Sequence, residues 1–361
     1  MREVKLVDGL YAYTGKLPRG CELCFQGKKL VIFVTGRCSE TCFYCPIAPE
    51  RFGRDIIFAD EERAYKLDDI VLEAESMGAE GASFTGGEPL LVLHRIAEIT
   101  SVLKDVFGDD FHIHLYTSCR QVTRHTLRIL EAIGIDEVRF HPTNEKLLMH
   151  ALKLAEYWSR EKLEFSLGFE LPILPDRIDH LKRLLITLDR IGVDFVNLNE
   201  LEWASHNLQQ YIERGYTIDE AKPVVLGSFE AGVEIVRWAA ENTSRLNVHL
   251  CGAKFKDAVQ MRNRMYRKAL KTRYGFELVV REGLVEFIET SIDDETVKLA
   301  EIGYGLVHEG VYRGSPLLPP NSTCYRVVRA YPTRKRRPRV VEREYCGGEG
   351  SGELQRRHQD P

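Results

Sequence analysis

Long apolar runs are missing from this sequence. No stretch approaches the roughly 18 consecutive apolar residues that a membrane-spanning helix needs, and the opening segment MREVKLVDGLYAYTG lacks the apolar core of a secretory signal. Both absences exclude a membrane partner and predict a cytoplasmic protein.

An excess of charge of one sign is also missing. Lys and Arg total 50 against 54 Asp and Glu, a formal net charge of −4. The apolar share of 44% and the charged share of 29% are ordinary for globular proteins, which excludes disorder for most of the chain. At 361 residues the chain can form one large domain with appendages, or two modest domains.

Cysteine, by contrast, is plentiful and unevenly placed. The chain has 9 cysteines, an odd number that favours metal ligation in a reducing compartment over disulfides. The early ones crowd into a short segment and are Cys21, Cys24, Cys38, Cys42 and Cys45.

Strand-like and helix-like segments alternate through the first half of the chain. The strand-like runs are residues 30–34, 82–85, 111–117, 137–141, 165–171 and 194–198. The helix-like segments, with apolar residues at three-to-four spacing, are 61–77, 91–106, 122–133, 145–160 and 177–191. This alternation predicts a parallel α/β sheet or a partial barrel.

The regular alternation of strand-like and helix-like segments ends after residue 202. A helix near 229–242, a strand near 247–250, a basic helix from 254 to 272 and a hairpin within 276–290 are predicted. The expected organisation is an N-terminal extension (1–28), a partial barrel (29–202), a helical extension (203–275), a β-rich appendage (276–346) and a disordered, glycine-rich tail (347–361).

One cysteine motif follows the first strand directly. The segment TGRCSETCFYCP places Cys38, Cys42 and Cys45 on one loop with the spacing C-x3-C-x2-C. Three thiolates on one tight loop can bind three irons of a cubane cluster and leave the fourth open. A structural zinc is the alternative, with its missing ligand supplied by the pair Cys21 and Cys24.

A second motif, Thr85-Gly86-Gly87-Glu88-Pro89, follows the next strand. Together the two motifs resemble the radical S-adenosylmethionine (SAM) superfamily. The resemblance implies a partial (β/α)6 TIM-type barrel with a C-terminal α+β appendage, a [4Fe-4S] cluster on the three cysteines and SAM on the open iron. It further implies that Tyr44 lies near the adenine and that Gly86, Gly87 and Glu88 hold the methionine end of SAM.

The resemblance extends along most of the chain, through RGCELC, FHIHLYT, EVRFHP, NLNELE and FKDAVQMRNR. These segments look like an archaeal group of uncharacterised radical SAM proteins related to pyruvate formate-lyase activating enzyme. The resemblance therefore implies the cofactor chemistry and leaves the substrate open.

Alternation along the strands predicts polar side chains on one face of the sheet, which is unusual for a closed barrel core. A hollow polar cavity is the prediction, and buried polar groups with partners are the alternative. Candidates for substrate contact or proton transfer are His112, His114, Arg139 and His141. Candidates for SAM contact near the strand ends are Thr117, Glu170, Asn197 and Asn199.

The remaining cysteines suggest an auxiliary cluster or metal site at Cys21, Cys24 and Cys251, against the alternative of simple packing. Its fourth ligand would be Cys119, Cys324 or Cys346.

Two basic segments can grip the phosphates of RNA or of an anionic metabolite, although a basic face is usually just solvated. Their cationic residues are Arg262, Arg264, Arg267, Lys268, Lys271, Arg273, Arg334, Lys335, Arg336, Arg337 and Arg339.

The predicted function is reductive cleavage of SAM to a 5′-deoxyadenosyl radical, with an electron donor of the ferredoxin or flavodoxin type. The radical acts on an unidentified substrate, in RNA modification, protein modification or metabolite biosynthesis. The alternative is a non-catalytic iron-sulfur or zinc protein that binds nucleic acid.

Overall fold

The computed structural model describes residues 2–7, 9–320 and 324–346, so the tail predicted to be disordered lies outside the described residues. The chain forms two compact units. The first unit is Met1–Glu75 with Ala79–Gln260, and the second unit is Ser76–Gly78 with Met261–Pro361. Within the described ranges, the helices are all too short or too polar to cross a membrane.

Strands and helices are numbered along the chain. The strands are β1 (Val4–Val7), β2 (Tyr11–Thr14), β3 (Lys29–Thr35), β4 (Ile57–Ala59), β5 (Glu62–Ala64), β6 (Gly81–Gly86), β7 (His112–Thr117), β8 (Glu137–Phe140), β9 (Ser166–Pro172), β10 (Phe195–Asn199), β11 (Asn247–Cys251), β12 (Leu278–Val279), β13 (Val285–Thr290), β14 (Gly305–His308), β15 (Val311–Gly314), β16 (Tyr325–Ala330) and β17 (Arg339–Tyr345). The helices are α1 (Arg19–Phe25), α2 (Leu67–Met77), α3 (Leu93–Phe107), α4 (Arg124–Ala132), α5 (Glu145–Glu161), α6 (Ile178–Ile191), α7 (Leu208–Glu213), α8 (Ser228–Asn242), α9 (Ala253–Phe255), α10 (Arg262–Thr272) and α11 (Asp294–Glu301).

The first unit is built on one 11-stranded sheet in the order β1-β2-β11-β10-β9-β8-β7-β6-β3-β4-β5. Its centre, from β11 to β3, is parallel throughout. The predicted parallel α/β fold is therefore confirmed. The sheet stays open, because the edge strands β1 and β5 are not paired with each other among the described residues.

The six predicted strand runs correspond to β3 and to β6 through β10. The parallel sheet nevertheless has one more strand than predicted. Residues 247–250, assigned from sequence to a helical extension, form β11 beside β10. The boundary between the units falls at residues 260 and 261 instead of near 202.

Local sequence explains where the helices begin and end. The Thr123 hydroxyl accepts from the Thr126 amide at the start of α4, and the Asn144 side chain accepts from Leu147 at the start of α5. Glycines expected at helix ends have positive φ, 63° at Gly78, 83° at Gly134 and 89° at Gly192.

The helix predicted from residue 61 begins later, because residues 57–64 form a β4–β5 hairpin. The carboxylate of Asp69 accepts from the backbone amides of Tyr65 and Lys66, at 2.9 and 3.2 Å. These bonds satisfy amide groups at the helix start and fix the beginning of α2 near Leu67.

The expected hollow interior is filled at the amino ends of the strands. Helix α1 packs there, and its Gly20 amide donates to the Glu137 carboxylate at 3.2 Å. A Cβ added at Gly20 would lie 2.6 Å from the His114 ring, so only glycine permits this approach. The side chain of Arg139 is 1% exposed under the same helix. The open cavity is therefore confined to the carboxyl ends.

The second unit is an antiparallel sheet in the order β14-β15-β13-β16-β17, with β12 added on β13. The expected β-rich character is present. Its core packs aromatic and aliphatic side chains against α10 and consists of Ala269, Phe276, Val285, Phe287, Val328 and Ala330.

The structure pairs Cys324 with Cys346 in a disulfide. That bond corrects the expectation that the cysteines serve metal ligation alone, and it removes both residues as fourth ligands of an auxiliary site. The two lie on opposite sides of the β16–β17 hairpin, whose strands pair Tyr325 with Tyr345.

The basic run in the second unit is largely paired with acidic side chains. Arg336 bonds to Glu277 at 2.7 Å, and Arg339 bonds to Glu289 at 2.6 Å. The side chain of Lys268, on the basic helix, is 2% exposed. These cations are therefore less available to phosphates than the sequence suggests.

Candidate active site

A cavity of about 660 Å³ lies at the carboxyl ends of the parallel strands. Its size is within the range of small-molecule and cofactor sites. The sequence-predicted residues that line it are Cys38, Cys42, Tyr44, Cys45, Gly86, Gly87, Thr117, His141, Glu170 and Asn199. The other predicted residues do not line it, and these are Glu88, His112, His114, Arg139 and Asn197.

Side chains from segments that are distant in the sequence hydrogen-bond to the cysteine loop and hold it in place. The Cys45 carbonyl lies 3.0 Å from the His206 Nε2 and accepts from the Asn207 amide at 3.2 Å. The Tyr44 hydroxyl lies 3.2 Å from the Nε2 of His141. These contacts hold the loop beside the end of β8 and the start of α7, which keeps the three thiols at the cavity.

Glu40, between the first two cysteines, was missed by the sequence reasoning. Its carboxylate accepts from the Thr143 hydroxyl at 2.6 Å and bonds to the Arg120 guanidinium. Hydrogen bonds from Arg120 and Thr143 hold the pKa of Glu40 below its ordinary value, although burial opposes this. Its position between Cys38 and Cys42 could have identified it from the sequence as a residue of this site.

The donor set of the loop fits an iron-sulfur cluster. Burial raises the pKa of Cys42 to about 12, and burial also raises the pKa of Cys38 and of Cys45. The free thiols are therefore protonated at neutral pH, and iron must displace their protons to form thiolates. Three such thiols around one cavity can hold three irons of a cubane and leave the fourth accessible from the cavity.

The glycine turn packs on the chain that enters the cysteine loop. The Gly87 amide donates to the Thr35 carbonyl at 2.8 Å, and the Glu88 amide donates to the Arg37 carbonyl at 2.7 Å. A Cβ at Gly87 would lie 2.1 Å from the Arg37 oxygen. Gly86 has a φ of 127°, which other residues rarely adopt. The two glycines therefore allow the turn to pack directly on the segment that leads into the cysteine loop. This packing requires glycine in addition to any close approach of a ligand.

We expect Gly87→Ala to weaken both the fold and cluster retention. The added methyl group must displace the Arg37 carbonyl, one residue before Cys38, and this strain costs more than about 1 kcal/mol. Thermal unfolding and iron content after reconstitution measure the two effects. Gly275→Ala is the matched control, since a Cβ there meets nothing within 4 Å. Equal iron content in both variants would contradict the expectation.

Glu88 takes a different position from the one expected. It is fully buried, and its carboxylate accepts from the Ser118 amide at 2.8 Å, the Ser118 hydroxyl at 2.6 Å and the Leu90 amide at 3.2 Å. Glu88 is therefore a positioning residue that holds Ser118, which does line the cavity.

A line of polar side chains runs from the cavity toward the buried end. The Glu170 carboxylate accepts from Asn199 at 2.6 Å, from Asn197 at 3.0 Å and from Arg139 at 3.0 Å. Burial favours the protonated form of the Glu170 carboxyl group and would raise its pKa. The charge of Arg139 and the hydrogen bonds from the two asparagine amides have the larger effect, and they hold the pKa of Glu170 below its ordinary value. Glu170 therefore presents a fixed negative charge at the cavity wall.

The predicted auxiliary cysteines lie in the same interior. Cys21 and Cys251 are buried, and Cys24 is partly exposed. The Cys21 sulfur lies 3.3 Å from the Asn197 amide nitrogen, and the Cys251 sulfur lies 3.5 Å from that of Gln260. Among the described residues, these cysteines do not form a group whose ligand atoms all lie within 4.8 Å. An auxiliary site here stays a prediction.

The cavity rim includes charged groups that the sequence pattern did not single out. Lys256 forms an ion pair with Glu202, and Glu200 accepts from the Ala253 amide at 2.7 Å. They come from the segments after β10 and β11. No periodicity marks these positions, because they belong to loops and to a π-helical turn at Lys256–Met261.

Comparisons with known proteins agree with this geometry. The family model described as the radical SAM superfamily matches residues 32–144. A protein of Methanocaldococcus jannaschii, provisionally named as a glycyl-radical enzyme activating enzyme, is 32% identical over 300 residues, covering 80% of this chain and 77% of the relative.

Similar solved structures include two bacterial proteins, of which the second is described as a radical SAM enzyme. SuiB of Streptococcus suis has a TM-score of 0.45 at 14% identity, covering 64% of this chain and 51% of SuiB, so the chain spans about half of that protein. Coproporphyrinogen III oxidase of Escherichia coli has a TM-score of 0.38 at 11% identity, covering 90% of this chain and 72% of the oxidase.

The sequence similarity to the archaeal relative covers most of both chains, and the matched family segment contains both motifs of the cavity. The chain therefore belongs to the radical SAM superfamily and is an enzyme that uses a [4Fe-4S] cluster and SAM.

Proposed function

We propose that this enzyme activates a partner protein by removing a hydrogen atom from a backbone glycine. The observation that carries the proposal is the similarity over 77% of a relative named for glycyl-radical enzyme activation. Protein modification was one of several substrate classes that the sequence left open.

The proposed reaction balances in atoms and electrons. When bound, the cluster and SAM supply a 5′-deoxyadenosyl radical and methionine, with one electron from a reductant of the ferredoxin or flavodoxin type. The glycine α-carbon then loses one hydrogen atom. A C–H bond breaks in the partner protein, a C–H bond forms in 5′-deoxyadenosine, and the unpaired electron stays on the glycine. The compartment proposed for this reaction is the cytoplasm.

The cavity residues take the following proposed roles. Cys38, Cys42 and Cys45 hold the cluster. The contacts to SAM come from residues of the cavity wall, namely Tyr44, Gly86, Gly87, Thr117, Glu170 and Asn199. His141 is a candidate for substrate contact, since it lines the same cavity. His112, His114 and Arg139 are buried and do not line the cavity, so we assign them no contact with substrate.

The cavity rim suits a peptide segment. Glu200, Glu202, Lys256 and Thr143 offer hydrogen-bond donors and acceptors that can pair with the amides of an extended backbone. Among these residues two acids, Glu200 and Glu202, stand against one cation, Lys256, which pairs with Glu202. A rim with an excess of acidic groups supports a peptide better than it supports a polyanion such as RNA.

Isotope transfer tests the proposal while the partner is still unidentified. Soluble protein and RNA are prepared from source cells grown with α-dideuterated glycine. Each fraction is incubated anaerobically with the reconstituted enzyme, SAM and dithionite. We expect deuterium to enter 5′-deoxyadenosine from the protein fraction, as measured by mass spectrometry.

Protein labelled with α-deuterated alanine is the matched control and should give unlabelled product. Deuterium from the RNA fraction alone would contradict the proposal. Unlabelled 5′-deoxyadenosine from glycine-labelled protein would do the same, and so would a complete lack of product from a chain that holds its cluster.

A further inference from the structure

A second group of potential ligands lies at the amino ends of the strands, opposite the cavity. His112 and His114 belong to β7, and Glu137 begins β8. Each offers one ligand atom, and these atoms all lie within 4.8 Å of one another. The three residues are 9%, 0% and 1% exposed. Such a cluster is far more enclosed than a group of surface acids.

Three of the four ring nitrogens in this cluster have no hydrogen-bond partner among the described residues. The Nε2 of His112 and both ring nitrogens of His114 are buried without a hydrogen bond. The approach of His112 Nε2 to Glu137, at 3.5 Å, is too long for a good hydrogen bond. A buried polar nitrogen left unsatisfied costs about 1–3 kcal/mol, so three together indicate a missing ligand.

The Glu137 carboxylate is oriented as a ligating carboxylate should be. One oxygen accepts from the Arg139 Nε at 2.6 Å. The other oxygen faces His112 and accepts only a longer bond, 3.2 Å, from the Gly20 amide. Carboxylates that bind metals are typically held by such a second hydrogen-bonded partner.

We propose that His112, His114 and Glu137 bind one divalent transition-metal ion that ties β7 to β8 under α1. Two imidazoles and one carboxylate are a donor set that Zn²⁺, Fe²⁺ and Co²⁺ accept. Mg²⁺ and Ca²⁺ need several oxygen ligands, and the single carboxylate here is already paired with Arg139. Because α1 closes this end of the interior, the ion has a structural role and takes no part in SAM cleavage.

The test uses the full chain with Cys38, Cys42 and Cys45 changed to alanine, so that added metal cannot occupy the cluster thiols. We expect one Zn²⁺ or Co²⁺ per chain to survive desalting. Zn²⁺ should raise the melting temperature by about 5 °C when it greatly exceeds its dissociation constant, and Mg²⁺ should not change it. Co²⁺ should give visible absorption bands typical of nitrogen ligands.

Three further variants in the same background decide where the metal binds. His114→Gln should weaken Zn²⁺ binding at least about tenfold and remove the Co²⁺ bands. His249→Gln is the matched control, because His249 is also buried with an unpartnered Nε2 but lies outside the cluster. Cys24→Ala should keep the metal, whereas an auxiliary cysteine site would lose it.

The proposal is overturned if the folded background protein retains neither ion. It is equally overturned if His114→Gln, shown by circular dichroism to be folded, binds Zn²⁺ as tightly as its parent. The imidazoles would then be satisfied by buried water.

Discussion

We expect alanine at Cys38, Cys42 and Cys45 to reduce iron incorporation and 5′-deoxyadenosine formation to background. The three thiols line one cavity on a single loop, and burial disfavours their thiolate forms until iron binds them. Removal of the thiolates leaves no ligand set in the cavity that can hold a cubane. Iron and sulfide analysis after anaerobic reconstitution, followed by product quantification with SAM and dithionite, measures both losses.

Cys119→Ala is the matched control for that triple variant. Cys119 is also a buried thiol, and its sulfur lies 3.7 Å from the Thr117 carbonyl, but it does not line the cavity. We expect this variant to keep its cluster and its rate of SAM cleavage. A triple variant that still makes 5′-deoxyadenosine above background would show that the loop is not the cluster site.

The parallel strands could be predicted because their pattern is local. On β7, Ile113 and Leu115 alternate with His112 and His114, and this period identifies a strand without any tertiary information. Strand β11 was harder to place, because the irregular segment after β10 separates it from the regular βα rhythm. Its pairing with β10 is a long-range contact that no local period encodes.

The surroundings of the side chains inside the sheet could be predicted from the sequence pattern only in part. Alternation correctly put His114 and Arg139 on the polar face of the sheet, but it could not show that α1 covers them. The segment before β3 looked like an extension, since its glycine and cysteines carry no helical periodicity. Likewise, the turn motif located Glu88 and its neighbours, but only the fold shows that the Glu88 carboxylate points to Ser118.

The buried ion-pair network gives the largest expected loss of stability. Arg139 is 1% exposed and bonds to both Glu137 and Glu170. Arg139→Met leaves two buried carboxylates without their cation, and breaking a buried pair in this way costs about 3–5 kcal/mol. Urea unfolding measures the change. Arg160→Met is the control, because the Arg160–Glu161 pair is largely exposed and such pairs contribute about 1 kcal/mol or less.

The pH dependence of this loss separates the ion pair from simple packing. Burial alone would raise the pKa of Glu137, but Arg139 and His112 outweigh it and hold that pKa far below its ordinary value. A depressed folded-state pKa stabilises the wild type above about pH 4.3, and this stabilisation is lost as the pH falls further. In Arg139→Met the charge of Arg139 no longer opposes the effect of burial, so the carboxylates bind protons at a higher pH than in the wild type. Protonation removes the buried negative charge, and the variant is therefore less destabilised, relative to the wild type, at acid pH. The difference in unfolding free energy should therefore be largest near neutral pH and shrink below about pH 4. A difference that does not shrink as the pH falls from 7 to below about pH 4 would assign the loss to packing of the arginine side chain.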